Sequence, residues 1–169
     1  LCIVISPLIA LMKDQVMNLK KRGVKAAAIF SGMPQEKICI TIDNCLFDKE
    51  MKFLYVSPER LKTDLFRVNL KRMNISMIAV DEAHCISQWG YDFRPPYLEI
   101  AEIRQFFPDV PVLALTATAT PEVVKDIQEK LKFKKENVFQ KSFLRDNLTY
   151  YVMKEQDKQG RMLRIMQRY

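Results

Sequence analysis

Short apolar runs alternate with amphipathic stretches along this chain. Leu1-Cys2-Ile3-Val4-Ile5, Phe53-Leu54-Tyr55-Val56, Ile75-Ser76-Met77-Ile78-Ala79-Val80 and Val112-Leu113-Ala114-Leu115 are apolar almost throughout and too short for ordinary helices. They read as buried strands of the kind found in parallel sheets. Val24–Phe30 is a further candidate strand with its turn at Ser31-Gly32, and Asn137-Val138-Phe139 a last one. Helical spacing fills the intervals. Leu8, Leu11, Met12, Val16 and Leu19 form one apolar stripe, started by Ser6 at the N-cap and Pro7 in the first turn and ended by Gly23. Ile38, Ile42, Cys45 and Leu46 mark a second helix over about 34–48. Others are predicted over 61–70, 97–107 and 158–169. One more follows the Thr120-Pro121-Glu122 start, with Val123, Val124, Ile127 and Leu131 on its apolar face. Strands alternating with helices predict an α/β fold built on a parallel sheet.

The strand over 75–80 runs straight into two carboxylates, Asp81 and Glu82, then Ala83 and the only histidine, His84. Acids in that place lie at the carboxyl edge of the sheet, where open α/β folds bind ligands. The chemistry suits nucleotide hydrolysis. One carboxylate can hold Mg²⁺ through water, and the next can orient or deprotonate the attacking water. The following stretch, Cys85-Ile86-Ser87-Gln88-Trp89-Gly90-Tyr91-Asp92-Phe93-Arg94-Pro95-Pro96-Tyr97, packs four aromatics, two prolines and a glycine into thirteen residues. Prolines and glycine place it on a loop. Rings and an arginine there suit base stacking and phosphate contact with single strands. On the residues alone, a plain strand-to-loop exit and rings that anchor the loop to the core remain open beside these readings.

Composition narrows the partners. The chain has 169 residues, enough for one domain with a real core, and a net charge of +7 compatible with a phosphate-rich partner. Four scattered cysteines without CxxC spacing and a single histidine do not build a zinc site. Reduced thiols in a cytosolic or nuclear setting fit that usage. No apolar stretch approaches the roughly 20 residues that cross a bilayer, and the apolar start lacks the basic flank and cleavage site of a signal peptide.

AVDEAHCISQWGYDFRPPY, residues 79–97, resembles motif II and the adjoining aromatic-rich loop of the RecQ family of superfamily 2 DNA helicases, over nineteen residues without a gap. Ser6-Pro7-Leu8-Ile9-Ala10-Leu11-Met12-Lys13-Asp14-Gln15 resembles motif Ia, Ser57-Pro58-Glu59-Arg60-Leu61 motif Ib, and Thr116-Ala117-Thr118-Ala119-Thr120-Pro121 motif III. The resemblance implies a RecA-like motor and ATP hydrolysis with Mg²⁺, driving 3′-to-5′ unwinding of duplex DNA in recombination and repair. It implies that Asp81 holds Mg²⁺, Glu82 activates water and His84 couples hydrolysis to the motor. Trp89, Phe93 and Arg94 would sense single-stranded DNA, Ser6, Pro7, Ser57 and Arg60 would touch the nucleic-acid backbone, and Thr116 and Thr118 would couple nucleotide state to DNA contact.

Ser142–Val152 resembles the crossing into a second motor domain, with Asp146 where relatives usually carry proline. The expected division is therefore 1–145, most of a first motor domain, and 146–169, an interdomain segment and the first helix of a second. No G-x-x-x-x-G-K-[ST] loop occurs in the chain, and the adenine-reading glutamine motif is missing too. The expectation is thus an internal piece without ATPase activity of its own. Its sheet would lack an inner strand, exposing two flanking strands to self-association. A non-catalytic nucleic-acid-binding module and an RNA helicase of the same superfamily remain as alternatives.

Overall fold

The computed structural model describes residues 1–90, 92–142 and 145–168; Tyr91, Phe143, Leu144 and Tyr169 lie outside them, and with them part of the crossing segment over 142–152. The chain divides into two compact units, Leu1–Glu136 and Asn137–Tyr169.

The first unit is built on five parallel strands, β1 (Cys2–Ile5), β2 (Ala26–Ile29), β3 (Phe53–Val56), β4 (Met77–Val80) and β5 (Val112–Ala114). Their order is β2-β3-β1-β4-β5. Helices α1 (Ile9–Lys21), α2 (Gln35–Phe47), α3 (Asp64–Leu70), α4 (Leu98–Phe106) and α5 (Pro121–Lys130) flank the sheet. The core joins Ile3, Ile5, Leu54, Val56, Ile78 and Val80 of the inner strands to Ile38 and Ile42 of α2, Phe66 and Leu70 of α3, Ile100 and Ile103 of α4, and Val123 and Ile127 of α5. Apolar area removed from water, near 25 cal/mol per Å², is what holds these layers together.

The register fixes the site. Ile5 lies beside both Val56 and Val80, Ile29 beside Val56, and Val80 beside Ala114, so the strands finish level with one another. The residues that follow, Phe30, Ser57, Ser6, Asp81 and Leu115, therefore form one row along the carboxyl edge.

Several expectations are corrected. The sheet is continuous among the described residues, with no gap inside it, because β1 bonds to β3 on one side and β4 on the other. The strands with a neighbour on one side only are β2 and β5. Ala26 and Ile29 of β2 are nevertheless buried, whereas β5 is not a buried strand: Leu113 is 44% exposed and Leu115, just beyond it, 48%. Ser6 does not cap α1. Its amide continues the ladder to the Val56 carbonyl at 3.2 Å, and the helix starts from Leu8, whose carbonyl accepts from Met12 at 3.0 Å. The α1 stripe is also incompletely covered, with Met12 buried but Leu8 and Leu11 exposed. The helix expected over 61–70 is a 3-10 turn, Pro58–Lys62, and then α3, separated by extended Thr63, whose hydroxyl donates to the Arg60 carbonyl. Gly23 ends α1 as expected, at φ 76°, a left-handed conformation that glycine tolerates best. Thr120 caps α5, its hydroxyl accepting from the Val123 amide at 3.4 Å.

In the second unit, residues 137–139 form no strand, and Val138 and Phe139 are exposed. Helix α6 (Lys158–Arg168) carries Met162, Leu163, Ile165 and Met166, all exposed. No helix among the described residues is long and apolar enough to cross a membrane.

Candidate active site at the carboxyl edge of the sheet

Asp81 is the fixed point of the edge. Its amide donates to the Ile5 carbonyl at 2.9 Å and its carbonyl accepts from the Tyr97 hydroxyl at 2.8 Å. Carboxylate Oδ1 accepts from the Glu82 amide at 3.0 Å and Oδ2 from the Ser6 hydroxyl at 3.0 Å. Tyr97 is fully buried, and that burial pushes its phenol well above the ordinary range, keeping it a donor.

Two bonds leave each carboxylate oxygen of Asp81 a free acceptor position. Among the described residues no group of three or more His, Cys, Asp and Glu is placed to hold a metal ion. A single constrained carboxylate does not make an all-protein cage. It does fit Mg²⁺, which keeps several waters and shares its remaining positions with substrate phosphates.

The chain turns sharply after Asp81. Glu82 takes φ 49° and ψ 44°, the left-handed region, and a 3-10 turn over Ala83–Ile86 follows. That reversal places the His84 ring against the loop beyond β5. Its Nδ1 lies 2.9 Å from Thr116 Oγ1 and 3.3 Å from Glu82 Oε2. A hydroxyl donates or accepts, so Thr116 matches either ring tautomer. Thr116 Oγ1 also accepts from the Thr118 amide at 3.2 Å, and the Ala83 amide donates to the Leu115 carbonyl at 2.9 Å. Asp81, Glu82, His84, Thr116 and Thr118 thus come together, although separations of 32 to 37 residues lie between the acids and histidine and the threonines.

The aromatic stretch divides in two. Trp89 is 80% exposed, whereas Tyr97 is core. The loop between them is closed by the Arg94 amide donating to the Cys85 carbonyl at 2.9 Å. Phe93 is half-buried. Arg94 is tied to Asp92 through Nε at 2.9 Å and Nη2 at 2.6 Å, a pairing that raises the guanidinium pKa further. Burial pushes the Cys85 thiol up to about 11, so it stays a neutral thiol.

The other candidate contacts are dispersed. Pro7 is half-buried. Ser57 is 2% exposed, and its hydroxyl has no hydrogen-bond partner among the described residues. Arg60 sends Nε and Nη2 to the Phe30 carbonyl, both at 3.2 Å, which ties the 3-10 turn to the end of β2.

Two contributions went unread in the sequence. Tyr97 and Ser6 meet Asp81 over separations of 16 and 75 residues, and only the register puts them there. Asp126 on α5 bonds the Ser87 side chain, and Lys130 donates to the Ile86 carbonyl at 3.0 Å, fastening α5 beneath the loop. The i,i+4 spacing of Asp126 and Lys130 was the one available signal.

The family model described as DEAD/DEAH box helicase matches residues 1–127. The ATP-dependent DNA helicase RecQ of Bacillus subtilis is 47% identical over 157 residues, 92% of this chain and 26% of that protein. The protein of the same name from Haemophilus influenzae is 43% identical over 150 residues, 89% of this chain and 24% of that one. The chain spans about a quarter of the length of these relatives. The crystal structure of the Pyrococcus furiosus Hef helicase domain has the same fold, with a TM-score of 0.56 at 17% identity over 79% of this chain and 28% of that one. The chain belongs to the DEAD/DEAH box helicase family.

Proposed function

We propose that residues 1–145 are most of the first motor domain, and 146–169 the start of the second, of an ATP-dependent DNA helicase of the RecQ type. Its substrates are single-stranded and duplex DNA, its cofactors ATP and Mg²⁺, and its unwinding runs 3′ to 5′ in recombination and repair. One observation carries the reading: a constrained Asp81, Glu82 beside it, and a His84–Thr116 bond at 2.9 Å share one sheet edge, from which the loop of Trp89 departs.

Each residue then has a task. Asp81 presents a carboxylate of fixed orientation to hydrated Mg²⁺. Bound Mg²⁺ would offset the charge of the phosphates and of the leaving group. Glu82 accepts a proton from, or orients, the attacking water. His84 and Thr116 join that acid loop to the segment beyond β5, so a shift at either is felt by the other. Trp89 offers a ring for stacking, and Arg94 exchanges Asp92 for a backbone phosphate. Without a G-x-x-x-x-G-K-[ST] loop in these 169 residues, the chain alone has no cradle for the β- and γ-phosphates and does not hydrolyse ATP.

The test uses Trp89, the only tryptophan. Its emission is followed while the chain is titrated with single-stranded DNA, duplex DNA and RNA at two salt concentrations. A saturable change favouring single-stranded DNA, reduced in Phe93→Ala and Arg94→Ala, supports the reading. Preference for RNA would favour an RNA helicase. Weak binding that leaves the emission unchanged and vanishes with salt would reduce the interaction to general basic charge.

A further inference from the structure

Ser6 stands where the family resemblance implies a contact with the nucleic-acid backbone, yet its side chain is committed elsewhere. It is 1% exposed, and its hydroxyl donates to Asp81 Oδ2 at 3.0 Å. A hydroxyl has one proton to give. With that proton on the carboxylate, little is left to offer a phosphate.

The contact follows from the sheet. Ile5 and Val80 are paired in register, so the next residue of each strand, Ser6 and Asp81, meet side by side. Ser6 itself is anchored on its other flank by the hydrogen bond its backbone amide donates to the Val56 carbonyl at 3.2 Å. Three of the four bonds at Asp81 either involve its backbone or come from the adjacent Glu82 amide. Among the described residues only Ser6, just past β1, reaches the carboxylate from beyond its own segment, and so ties the carboxylate's orientation to the neighbouring strand.

We propose that Ser6 is a positioning residue for Asp81: its hydroxyl holds Oδ2 so that the free acceptor positions of the carboxylate stay turned to a hydrated divalent cation. The inference rests on the ATP-dependent helicase reading, and it moves Ser6 from the nucleic-acid surface to the support of the nucleotide site. Removing an outer partner of a metal-holding group typically lowers metal affinity about 10- to 100-fold; for a cation held through water, the lower end applies.

The test uses the full-length protein that carries this chain, with Mn²⁺ as probe. Half-saturation by Mn²⁺ in the presence of a non-hydrolysable ATP analogue is read by electron paramagnetic resonance. Single-strand affinity without nucleotide is read by anisotropy. Ser6→Ala is expected to raise half-saturating Mn²⁺ about 10-fold, while single-strand affinity stays within about twofold. Ser6→Cys, which fills the same space but donates weakly, is expected to fall between and serves if the alanine variant does not fold. Wild-type Mn²⁺ binding in both variants overturns the proposal. Loss of single-strand affinity with Mn²⁺ binding intact also overturns it, and would return Ser6 to direct contact. A wild-type protein that binds no Mn²⁺ with nucleotide overturns the helicase reading as well, which separates that failure from the other two.

Discussion

Glu82 holds a strained backbone conformation in the candidate site. A side chain at φ 49° and ψ 44° costs of order 1 kcal/mol or more, and such strain persists where the surroundings over-determine it. Here the Asp81 and Ala83 bonds on either side fix the turn. Glu82→Gly is expected to raise stability by about 0.5–1 kcal/mol in thermal or urea unfolding, because glycine takes this conformation freely. In the full-length protein the same change, like Glu82→Gln, is expected to lower ATP turnover about 10²- to 10⁴-fold with nucleotide binding retained. A variant that gains stability and keeps turnover would remove Glu82 from the chemistry. Asp92 makes the opposite case. Its pair with Arg94 lies at the surface, where such pairs contribute roughly 0–1 kcal/mol. Asp92→Ala is therefore expected to leave the melting temperature nearly unchanged and to tighten single-strand binding severalfold at low salt, since Arg94 no longer has to leave a carboxylate. Unchanged or weaker binding in the Trp89 titration would count against a phosphate role for Arg94.

The elements around the aromatic loop show how a mobile-looking sequence is held in one place. Gly90 packs so closely on the turn after Asp81 that a Cβ would lie 2.4 Å from the His84 carbonyl oxygen. Backbone cannot yield as a side-chain tip does. Gly90→Ala is thus expected to cost about 1–3 kcal/mol, seen as a fall of several degrees in melting temperature, and to weaken the Trp89 response to single-stranded DNA. On the other side, Asp126 of α5 bonds Ser87, whose hydroxyl accepts from the Trp89 amide at 3.2 Å. Burial raises the Asp126 pKa, but its bonds to Ser87 and Lys130 outweigh that and hold it below the ordinary aspartate value. A depressed folded-state pKa gives stability that is present above the unfolded value, about 3.9, and is lost as pH falls through the folded value. Trp89 emission is therefore expected to change as pH is lowered below about 4, and Asp126→Ala is expected to show the low-pH emission already at neutral pH. Identical acid profiles for the two proteins would mean that Asp126 does not position the loop.

At the scale of the whole molecule, what was legible in the sequence was what depends on local pattern. Strands 1–5, 53–56, 75–80 and 112–115 and helices 34–48 and 97–107 lie within a few residues of their places, because an apolar run or a stripe at helical spacing carries its own structure. Asp81, Glu82 and His84 were legible for the same reason, being neighbours in the chain. Register was not legible, and register is what brings Ser6 and Thr116 to that group. Nor was strand order, which decides that β2 and β5, and no inner strands, are the edges, β5 being the more exposed of the two. That edge carries a consequence for association. The outer side of β5, which faces no neighbouring strand among the described residues and has Leu113 and Leu115 exposed along it, is a template for pairing with another chain. A charge placed on such an edge opposes pairing without disturbing a core that it does not enter. Leu113→Lys in the 169-residue chain is expected to shift sedimentation toward the monomer and to leave the circular dichroism spectrum unchanged. Association that persists unaltered would place the contact elsewhere, the exposed Met162, Leu163, Ile165 and Met166 of α6 being the next surface to charge.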